Sequence, residues 1–471
     1  MQKHLDQIKQ IVGPKGWSDD AGIVDPWLTD SRSVYVGKCA LFVQPETTAQ
    51  TAAVMAICHQ TGIAVVPQGG NTGRCGGATP DDAGNAILLN MARMNKVRNL
   101  DPLDFTMTVE AGCILTSIQN TADSADCLFP LSLGAEGSCM IGGNLASNAG
   151  GINVLRYGNT RDLVLGVEVV LPDGRIWNGL RRLRKDNTGY DLKHLFIGSE
   201  GTLGVITAAV IKLFPKPVET TTAICALTTL DAALTLLAKA RIESGDSLNS
   251  FELIPGIAID CAHKHIHGIR KPLSETPDWA VLFEFSATAP GSDITTRMQN
   301  LLESAFEDEI ISDATVAQSG QDRADFWRLR EAIVEAQVKE GASIKHDVSV
   351  PVSLVPDFIR QAGIGVEKTC PGIRPYAFGH VGDGNIHYNL TQPVEMPAED
   401  FLALEWDIHR IVHDITAELG GSFSAEHGVG RLKTGEILRY KEATELELLQ
   451  SIKQAIDPKS IMNPGKMLPD Q

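Results

Sequence analysis

Two histidines, His380 and His387, flank a tight turn in the second half of the chain. The turn, Gly382-Asp383-Gly384, is a strong hairpin signal because apolar strand residues stand on both sides of it. A hairpin here can bring the two imidazoles together, and neutral imidazoles around one point suit a divalent metal ion. A packed or surface pair of histidines is the alternative, and these residues alone do not exclude it.

A third metal-type ligand is Glu426, which is followed directly by His427 in the stretch 424–430. Two histidines and one carboxylate leave open coordination positions on Zn²⁺ or a similar ion. The glycines at 428 and 430 leave room for a substrate to approach His427. The sequence alone does not show that residues 380 and 426 meet in space.

A second histidine group, the alternating His263, His265 and His267, lies among lysine and arginine residues. No carboxylate accompanies it before Glu275. We therefore interpret it as a solvated surface turn.

Glycine is concentrated in three stretches of the first 215 residues, at 67–73, 134–151 and 198–206. Successive glycines let backbone N–H groups converge on an anion such as a pyrophosphate, and they let a flat ring lie against the main chain. Each stretch alone could be a tight turn. Neither G-x-G-x-x-G after a strand nor G-x-x-x-x-G-K-[ST] occurs, which argues against a nicotinamide-type Rossmann site and excludes a P-loop.

The elements around these stretches alternate between strand and helix. Residues 40–67 read as a β-α-β unit, with a helix from Pro45 to about Gln60 that Gly62 caps. Further strands are predicted at 86–91, 106–111, 163–171 and 205–213. Amphipathic helices are predicted at 401–419 and 434–456, and Pro215-Lys-Pro217 marks a domain boundary.

The three glycine-rich stretches together resemble the FAD-binding domain of the vanillyl-alcohol-oxidase type. In that fold the first loop cradles the FAD pyrophosphate, and the later segments line the isoalloxazine and the adenosine. The resemblance implies that FAD is bound by Pro67, Gly69, Gly70, Asn71, Thr72, Gly73, Gly134, Gly137, Ser138, Gly142, Gly143, Asn144, Ser147, Asn148, Gly150, Gly201, Gly204, Val205, Ile206 and Asn463.

The first loop also predicts how the flavin is held. Some members of this type attach FAD covalently through a histidine in that loop. This chain has Asn71, Arg74 and Cys75 there, and no histidine between His59 and His194. We therefore expect non-covalent FAD.

The second half closely resembles the D-2-hydroxyglutarate dehydrogenase family, which carries the C-terminal domain of FAD-linked oxidases. The motifs that carry this resemblance are His380 with His387, Glu426-His427, Trp327–Glu331, Arg184–Asp191 and Ile461–Lys466. It implies His380, His387 and Glu426 as ligands of zinc or a similar metal. It implies His427 as the catalytic base, and Arg330, Val334, Lys345, Asn389 and His427 as the substrate-binding positions.

One of these positions departs from the family. Val334 stands where relatives often have a threonine one helical turn after the arginine, which bears on how strictly substrates are selected. Without the resemblance, Arg330 would read as an exposed helix residue paired with Glu331 or Glu335, and Lys345 as part of a solvated loop.

The expected fold is α+β. It comprises a vanillyl-alcohol-oxidase-type FAD-binding domain (1–215), a substrate- and metal-binding domain with an antiparallel sheet covered by helices (216–425), and a C-terminal segment that returns to the FAD domain (426–471). The resemblance implies FAD- and metal-dependent oxidation of D-2-hydroxyglutarate, and of D-malate, to the 2-oxo acid by hydride transfer to flavin N5. The alternatives are a D-lactate or glycolate dehydrogenase of the same superfamily and a non-catalytic flavin electron-transfer subunit.

The expected electron acceptor is an electron-transfer flavoprotein or a quinone-linked chain, and a homodimer is left open.

The 471 residues include 58 acidic and 41 basic ones, for a net charge of −17. This balance argues against nucleic acid and acidic membranes as partners, but a local pocket can still take a small anion.

The sequence shows no pattern typical of a targeting or membrane-spanning segment. No apolar run approaches the ~20 residues of a membrane span, and the first 20 residues resemble neither a secretory signal nor a transit peptide. The nine cysteines are scattered without a C-x-x-C pair, as is typical of reduced thiols in a reducing cytosol. The expected location is cytoplasmic.

Overall fold

Apolar strands and striped helices build an α+β structure of two units. The computed structural model describes residues 1–469. The first unit comprises residues 1–151, 158–216 and the segment from 426 onward, and the second comprises 152–157 and 217–425. We describe each by itself.

The helices follow the chain from the N-terminus. They are α1 (Gln2–Val12), α2 (Ala21–Leu28), α3 (Thr48–Thr61), α4 (Leu115–Asp123), α5 (Ile141–Ser147), α6 (Val154–Tyr157), α7 (Lys193–Phe196), α8 (Ala232–Ser244), α9 (Gly256–His265), α10 (Ile294–Glu307), α11 (Gly320–Val338), a 3₁₀ turn (Val352–Leu354), α12 (Val355–Thr369), α13 (Ala398–Ala403), α14 (Glu405–Glu418), α15 (Thr434–Tyr440) and α16 (Ala443–Ile456).

The strands are numbered in the same way. They are β1 (Trp17–Ser18), β2 (Leu41–Val43), β3 (Val65–Gln68), β4 (Ile87–Asn90), β5 (Val97–Asp101), β6 (Thr106–Glu110), β7 (Cys127–Leu128), β8 (Val164–Val170), β9 (Ile176–Asn178), β10 (Val205–Lys212), β11 (Phe214–Pro215), β12 (Glu219–Leu227), β13 (Leu248–Pro255), β14 (Trp279–Ala287), β15 (Ile311–Val316), β16 (Ser343–Ile344), β17 (Asp347–Ser349), β18 (Arg374–Phe378) and β19 (Asn385–Thr391).

The first unit contains the predicted β-α-β arrangement. Strands β2, β4 and β3 pair in parallel in a four-stranded sheet of order β1-β2-β4-β3. Helix α3 connects β2 to β3. The Thr47 side chain accepts from the Gln50 N–H at its start, and Gly62 ends it in the left-handed conformation. A second sheet, of order β5-β6-β10-β8-β9, is antiparallel, and β10 is its buried centre.

The second unit is built on an antiparallel sheet of order β13-β14-β12-β15. Both faces of this sheet are covered, because alternate residues of β12 enter two different cores. Cys225 packs in the core with α8 and α10, whereas Ile224 packs with α9 and α11. The predicted antiparallel sheet covered by helices is thus confirmed.

A smaller sheet in the second unit carries most of the predicted site residues. Strand β19 lies at its centre and pairs antiparallel with β16, β17 and β18. Tyr376 and Phe378 of β18 pack in the α11 core, while Tyr388 of β19 packs in the core with α12. The two faces of this sheet therefore have different helical neighbours.

Three details differ from the sequence-based expectations. Residues 152–157 belong to the second unit, where the Arg156 guanidinium donates to Asn249 and Ser286. The helix expected at 401–419 is split into α13 and α14, and the one at 434–456 into α15 and α16.

Within residues 1–469, no helix combines the length and the apolar character that crossing a membrane requires.

Candidate active site

A cavity with about 1000 Å³ of empty space lies in the first unit among the glycine-rich stretches. Its walls are the loop after β3, the start of α5 and the turn before β10. His427 lines the same cavity, so the predicted base and the predicted cofactor loops meet within one unit.

Close backbone packing explains the glycines of these walls. A Cβ on Gly70 would stand 2.2 Å from the carbonyl oxygen of Ser138. At Gly73 and Gly143, in contrast, an added Cβ would meet nothing within 4 Å. These two glycines therefore leave space that a ligand can fill against the main chain.

A buried polar atom in the same cavity also points to a ligand. The amide oxygen of Asn144 is buried and has no hydrogen-bond partner within residues 1–469. Buried acceptors are normally satisfied. A large, partly polar cofactor of the FAD type fits these thin walls and this unsatisfied acceptor.

Most of the residues predicted to bind FAD line this cavity. They are Pro67, Gly69, Gly70, Asn71, Thr72, Gly73, Gly142, Gly143, Asn144, Ser147, Gly201, Gly204, Val205 and Ile206. Six others are not among its lining residues, namely Gly134, Gly137, Ser138, Asn148, Gly150 and Asn463.

Two of those six make other contacts in the first unit. The Asn463 side chain donates to the carbonyls of Gly77 and Glu200, so it holds cavity walls together. Gly150 faces Glu426, because a Cβ there would meet Oε1 of that residue at 2.5 Å. The same Oε1 accepts from the Gly151 N–H at 2.9 Å.

Glu200 positions the segment that carries His427, and the sequence analysis missed it. Its carboxylate accepts from the N–H groups of Val429 and Gly430, each at 2.7 Å. Burial raises its pKa, against the lowering effect of these two donors. The available signal was a single acidic residue inside an otherwise neutral glycine-rich stretch.

In the second unit, the predicted hairpin forms between β18 and β19. It brings the rings of His380 and His387 to 5.6 Å between centroids. Phe378 pairs opposite His387, and their rings also touch. Asn389 lies two residues after His387 and therefore on the same face of the sheet.

A buried carboxylate, Glu252 of β13, connects this hairpin to α11. It contacts His380 Nδ1 at 2.6 Å and accepts from Arg330 Nε at 2.9 Å. Burial opposes its ionisation, but the charges of His380 and Arg330 outweigh burial and lower the pKa of Glu252 to about 2. Nothing in the sequence singles out Glu252, because it stands in an ordinary apolar strand 128 residues before His380.

The other predicted substrate residues surround the same face. Arg330 is buried, and its guanidinium lies 4.7 Å from the ring centre of Phe378. The Asn389 amide donates to Gln337, two turns after Arg330 on α11. Val334 lies between these two on α11 and packs in its core, and Lys345 is half-buried between β16 and β17. The exposed-helix alternative for Arg330 is therefore wrong.

The second histidine group is only in part the predicted surface turn, because His263 and His267 are exposed but His265 is not. His263 and His265 belong to the last turn of α9. His265 is half-buried and contacts Glu340 at 2.5 Å, and Arg374 contacts the same carboxylate. The surface interpretation is wrong for His265 alone, because its carboxylate partner comes from 75 residues further along the chain.

Two family models cover most of the chain. "FAD linked oxidases, C-terminal domain" matches residues 216–467, and "FAD binding domain" matches residues 39–179. A D-2-hydroxyglutarate dehydrogenase of Arabidopsis thaliana is 37% identical over 99% of this chain and 82% of its own length. One of Danio rerio is 39% identical over 95% of this chain and 83% of its own.

The chain belongs to the D-2-hydroxyglutarate dehydrogenase family. Members of this family are FAD-dependent oxidoreductases, as the sequence analysis expected. The fold is confirmed as well. The crystal structure of p-cresol methylhydroxylase with substrate bound superimposes with a TM-score of 0.77 over 100% of this chain and 97% of that one, at 16% identity.

One expectation is wrong. The relatives from Arabidopsis thaliana and Danio rerio are named mitochondrial enzymes, which contradicts the predicted cytoplasmic location. The prediction rested on the scattered cysteines and on the composition of the first 20 residues, and neither feature determines the location of a protein.

Proposed function

We propose that this enzyme oxidises D-2-hydroxyglutarate, and D-malate as a second substrate, to the corresponding 2-oxo acid. The observation that carries the proposal is the Arg330–Glu252–His380 network. It joins a buried cation, suited to a substrate carboxylate, to an imidazole suited to a metal. The names of the relatives point to the same substrate.

The proposed metal ligands are His380, His387 and Glu426. The two histidines are neighbours in one hairpin. The N–H of Ala425 donates to the carbonyl of Asp347, the residue paired opposite His387, and Glu426 is the next residue of the chain. A divalent ion held by these residues would neutralise a substrate carboxylate and lower the pKa of the 2-hydroxyl group.

The proposed base is His427, because it lines the glycine-rich cavity. It removes the proton of the 2-hydroxyl group, while Glu200 holds the following backbone in place. FAD held non-covalently by the glycine-rich walls would supply the acceptor for the hydride of C2. Acid precipitation should therefore leave the yellow colour in the supernatant, and colour in the pellet would contradict non-covalent binding.

Arg330, Lys345 and Asn389 are proposed to hold the distal carboxylate of the substrate. A charge-assisted hydrogen bond contributes about 1.5–3 kcal/mol. Val334 offers no hydrogen bond, so selection between diacids of different length rests on the two cations. Lys345→Met should therefore impair D-2-hydroxyglutarate and D-malate at least tenfold more than D-lactate. Equal losses on all three would contradict this role.

The deciding experiment is anaerobic bleaching of the flavin by a panel of D- and L-2-hydroxy acids, with and without chelator. We expect rapid bleaching by D-2-hydroxyglutarate, slower bleaching by D-malate, and loss of both after metal removal. Preferential bleaching by D-lactate or glycolate would mean that one of these is the substrate. Bleaching by no hydroxy acid would indicate an electron-transfer subunit. Full activity after chelation would contradict the proposed role of the metal.

The reduced enzyme is expected to pass its electrons to an electron-transfer flavoprotein or a quinone-linked chain. Reoxidation by these acceptors and by oxygen, followed at the flavin absorbance, tests that expectation.

A further inference from the structure

Three further histidines lie together in the second unit, outside the residues used above. They are His346, which precedes β17, and His409 and His413 of α14. His346 and His413 are buried, and His409 is half-buried. Each of the three offers one ring nitrogen within 4.8 Å of the others. This group, here called the histidine triad, has no role in the proposed reaction.

The triad is separated from His387 by the sheet itself. His346 Nδ1 contacts the carbonyl of Tyr388, the residue after His387 in β19, and its ring lies 6.3 Å from the Tyr388 ring between centroids. Successive side chains of a strand point to opposite faces. The triad therefore lies on the face that packs on α12 and α14, and His387 lies on the face with Phe378.

The hydrogen bond to Tyr388 fixes the tautomer of His346. A carbonyl oxygen only accepts, so Nδ1 of His346 carries the proton, and Nε2 of the neutral ring keeps its lone pair. That Nε2 points at His409 Nδ1, 2.9 Å away. An imidazole whose other nitrogen donates to a backbone carbonyl is the usual form of a metal-bound histidine.

The positions of His409 and His413 on α14 also suit ligands of one shared metal ion. His409 and His413 are one turn apart on α14, so their rings lie on one side of the helix and are parallel within 12°, with centroids 5.6 Å apart. The other nitrogen of His409, Nε2, lies 3.5 Å from the Glu405 carboxylate. A carboxylate behind a ligating histidine is again the expected outer partner.

We propose that the histidine triad is a second metal site, which takes a divalent transition metal of the Zn²⁺ type. Tetrahedral ligands at the usual Zn–N distance are about 3.3 Å apart, so small rotations of the rings close the site. The ion would link α14 to the segment just before β17, which is hydrogen-bonded to the neighbour of His387 in β19. It would also brace the chain shortly before Glu426, which makes the site structural.

The test counts metal in the full-length, tag-free, chelator-stripped enzyme after it is reloaded with Zn²⁺, and repeats the titration with Co²⁺. Tetrahedral Co²⁺ bands at wavelengths longer than the flavin absorption report the ligand field. We expect the His380→Gln/His387→Gln double variant to retain one equivalent that gives these bands. His409→Gln and His413→Gln should each lose one equivalent relative to the parent enzyme.

The matched control is His265→Gln, which removes a half-buried helix histidine from another cluster and should leave the count unchanged. A double variant that binds no metal, or a His409→Gln variant with an undiminished count, would overturn the proposal. The double variant keeps the test decisive even if the triad variants do not fold. It also separates this site from the proposed catalytic metal, whose failure would leave the triad's equivalent in place.

Discussion

The two units build their candidate sites from different materials. In the first unit, glycine-rich backbone forms much of the cavity wall, and polar residues such as Asn71, Arg74, Asn144 and His427 complete it. In the second unit, the site is a set of buried charged and polar side chains, of which Glu252, Arg330 and His380 form one network. A backbone-built site is sensitive to added atoms, whereas a side-chain-built site is sensitive to lost charges.

The two kinds of site also differ in how their parts are spaced along the chain. Each glycine-rich stretch is continuous, so it is visible as a pattern. The network of the second unit joins β13, α11 and the hairpin after β18. Its members carry no common local signature.

The largest expected effect concerns His427, the proposed general base, which lines the glycine-rich cavity. His427→Gln should lower kcat about 10²–10⁴-fold, since it removes the general base. Flavin content should stay unchanged, because backbone groups hold the cofactor. Parallel measurement of turnover and of the flavin spectrum checks this. Loss of FAD together with activity would mean that His427 is part of the wall.

The second effect concerns the buried charges of the second unit. Glu252→Gln leaves Arg330 without its buried counter-charge, and breaking such a pair costs about 3–5 kcal/mol of folding free energy. It also removes the outer partner of His380, so metal affinity should fall about 10–100-fold. Urea unfolding and metal titration measure the two effects.

The chain offers a matched control for that variant. Glu284 of β14 is also buried and also holds an arginine of α11, Arg323, at 2.6 Å. Arg323 lies two turns before Arg330 on the same helix, although its side chain is 48% exposed and that of Arg330 only 10%. Glu284→Gln should destabilise the fold but leave metal affinity and KM unchanged. Equal metal loss in both variants would show that Glu252 acts only through stability.

A pair of glycine variants tests the backbone-built site. Gly70→Ala places a methyl group 2.2 Å from the Ser138 carbonyl and should cost about 1–3 kcal/mol of stability. Gly73→Ala meets no protein atom within 4 Å. It should keep its stability and weaken FAD binding, because the methyl group takes space in the cavity. Thermal unfolding of the apoprotein and flavin titration separate the two outcomes. Identical behaviour of the two variants would contradict this difference.

The smallest effect concerns a partly exposed ion-pair cluster of the second unit. Hydrogen bonds from Lys264, His265 and Arg374 lower the pKa of Glu340 to about 2. A lowered carboxyl pKa stabilises the fold above the unfolded-state value near pH 4.5, and the contribution disappears as the pH falls toward 2. Because solvent screens a partly exposed cluster, the wild type should lose only about 1 kcal/mol relative to Glu340→Gln over this range.

Urea unfolding at several pH values measures that loss. Glu335→Gln is the control, because Glu335 lies near the end of α11, five residues before Glu340, and forms an exposed pair with Lys339. A pH-independent difference between wild type and Glu340→Gln would show that the three cations do not act on this carboxylate.

Local signals predicted much of this molecule. The β-α-β unit was recognisable because Thr47 and Gly62 mark the ends of α3, and the 378–389 hairpin because a Gly-Asp-Gly turn separates two apolar strands. The split of α13 from α14 was not recognisable, since the apolar stripe continues across the break. Glu200 and Glu252 were missed because an acidic residue in a strand or turn carries no sign of its distant partner.

The sequence by itself determined the family, the fold class and the continuous glycine-rich loops, since each depends on residues that are close together in the chain. Only the tertiary structure decided which charges are paired. It placed Glu252 between Arg330 and His380, Glu340 beside His265, and His346 beside two histidines of α14. The physical reason is that strand pairing and helix packing join residues far apart in sequence, and a buried charge is stable only where such a partner arrives.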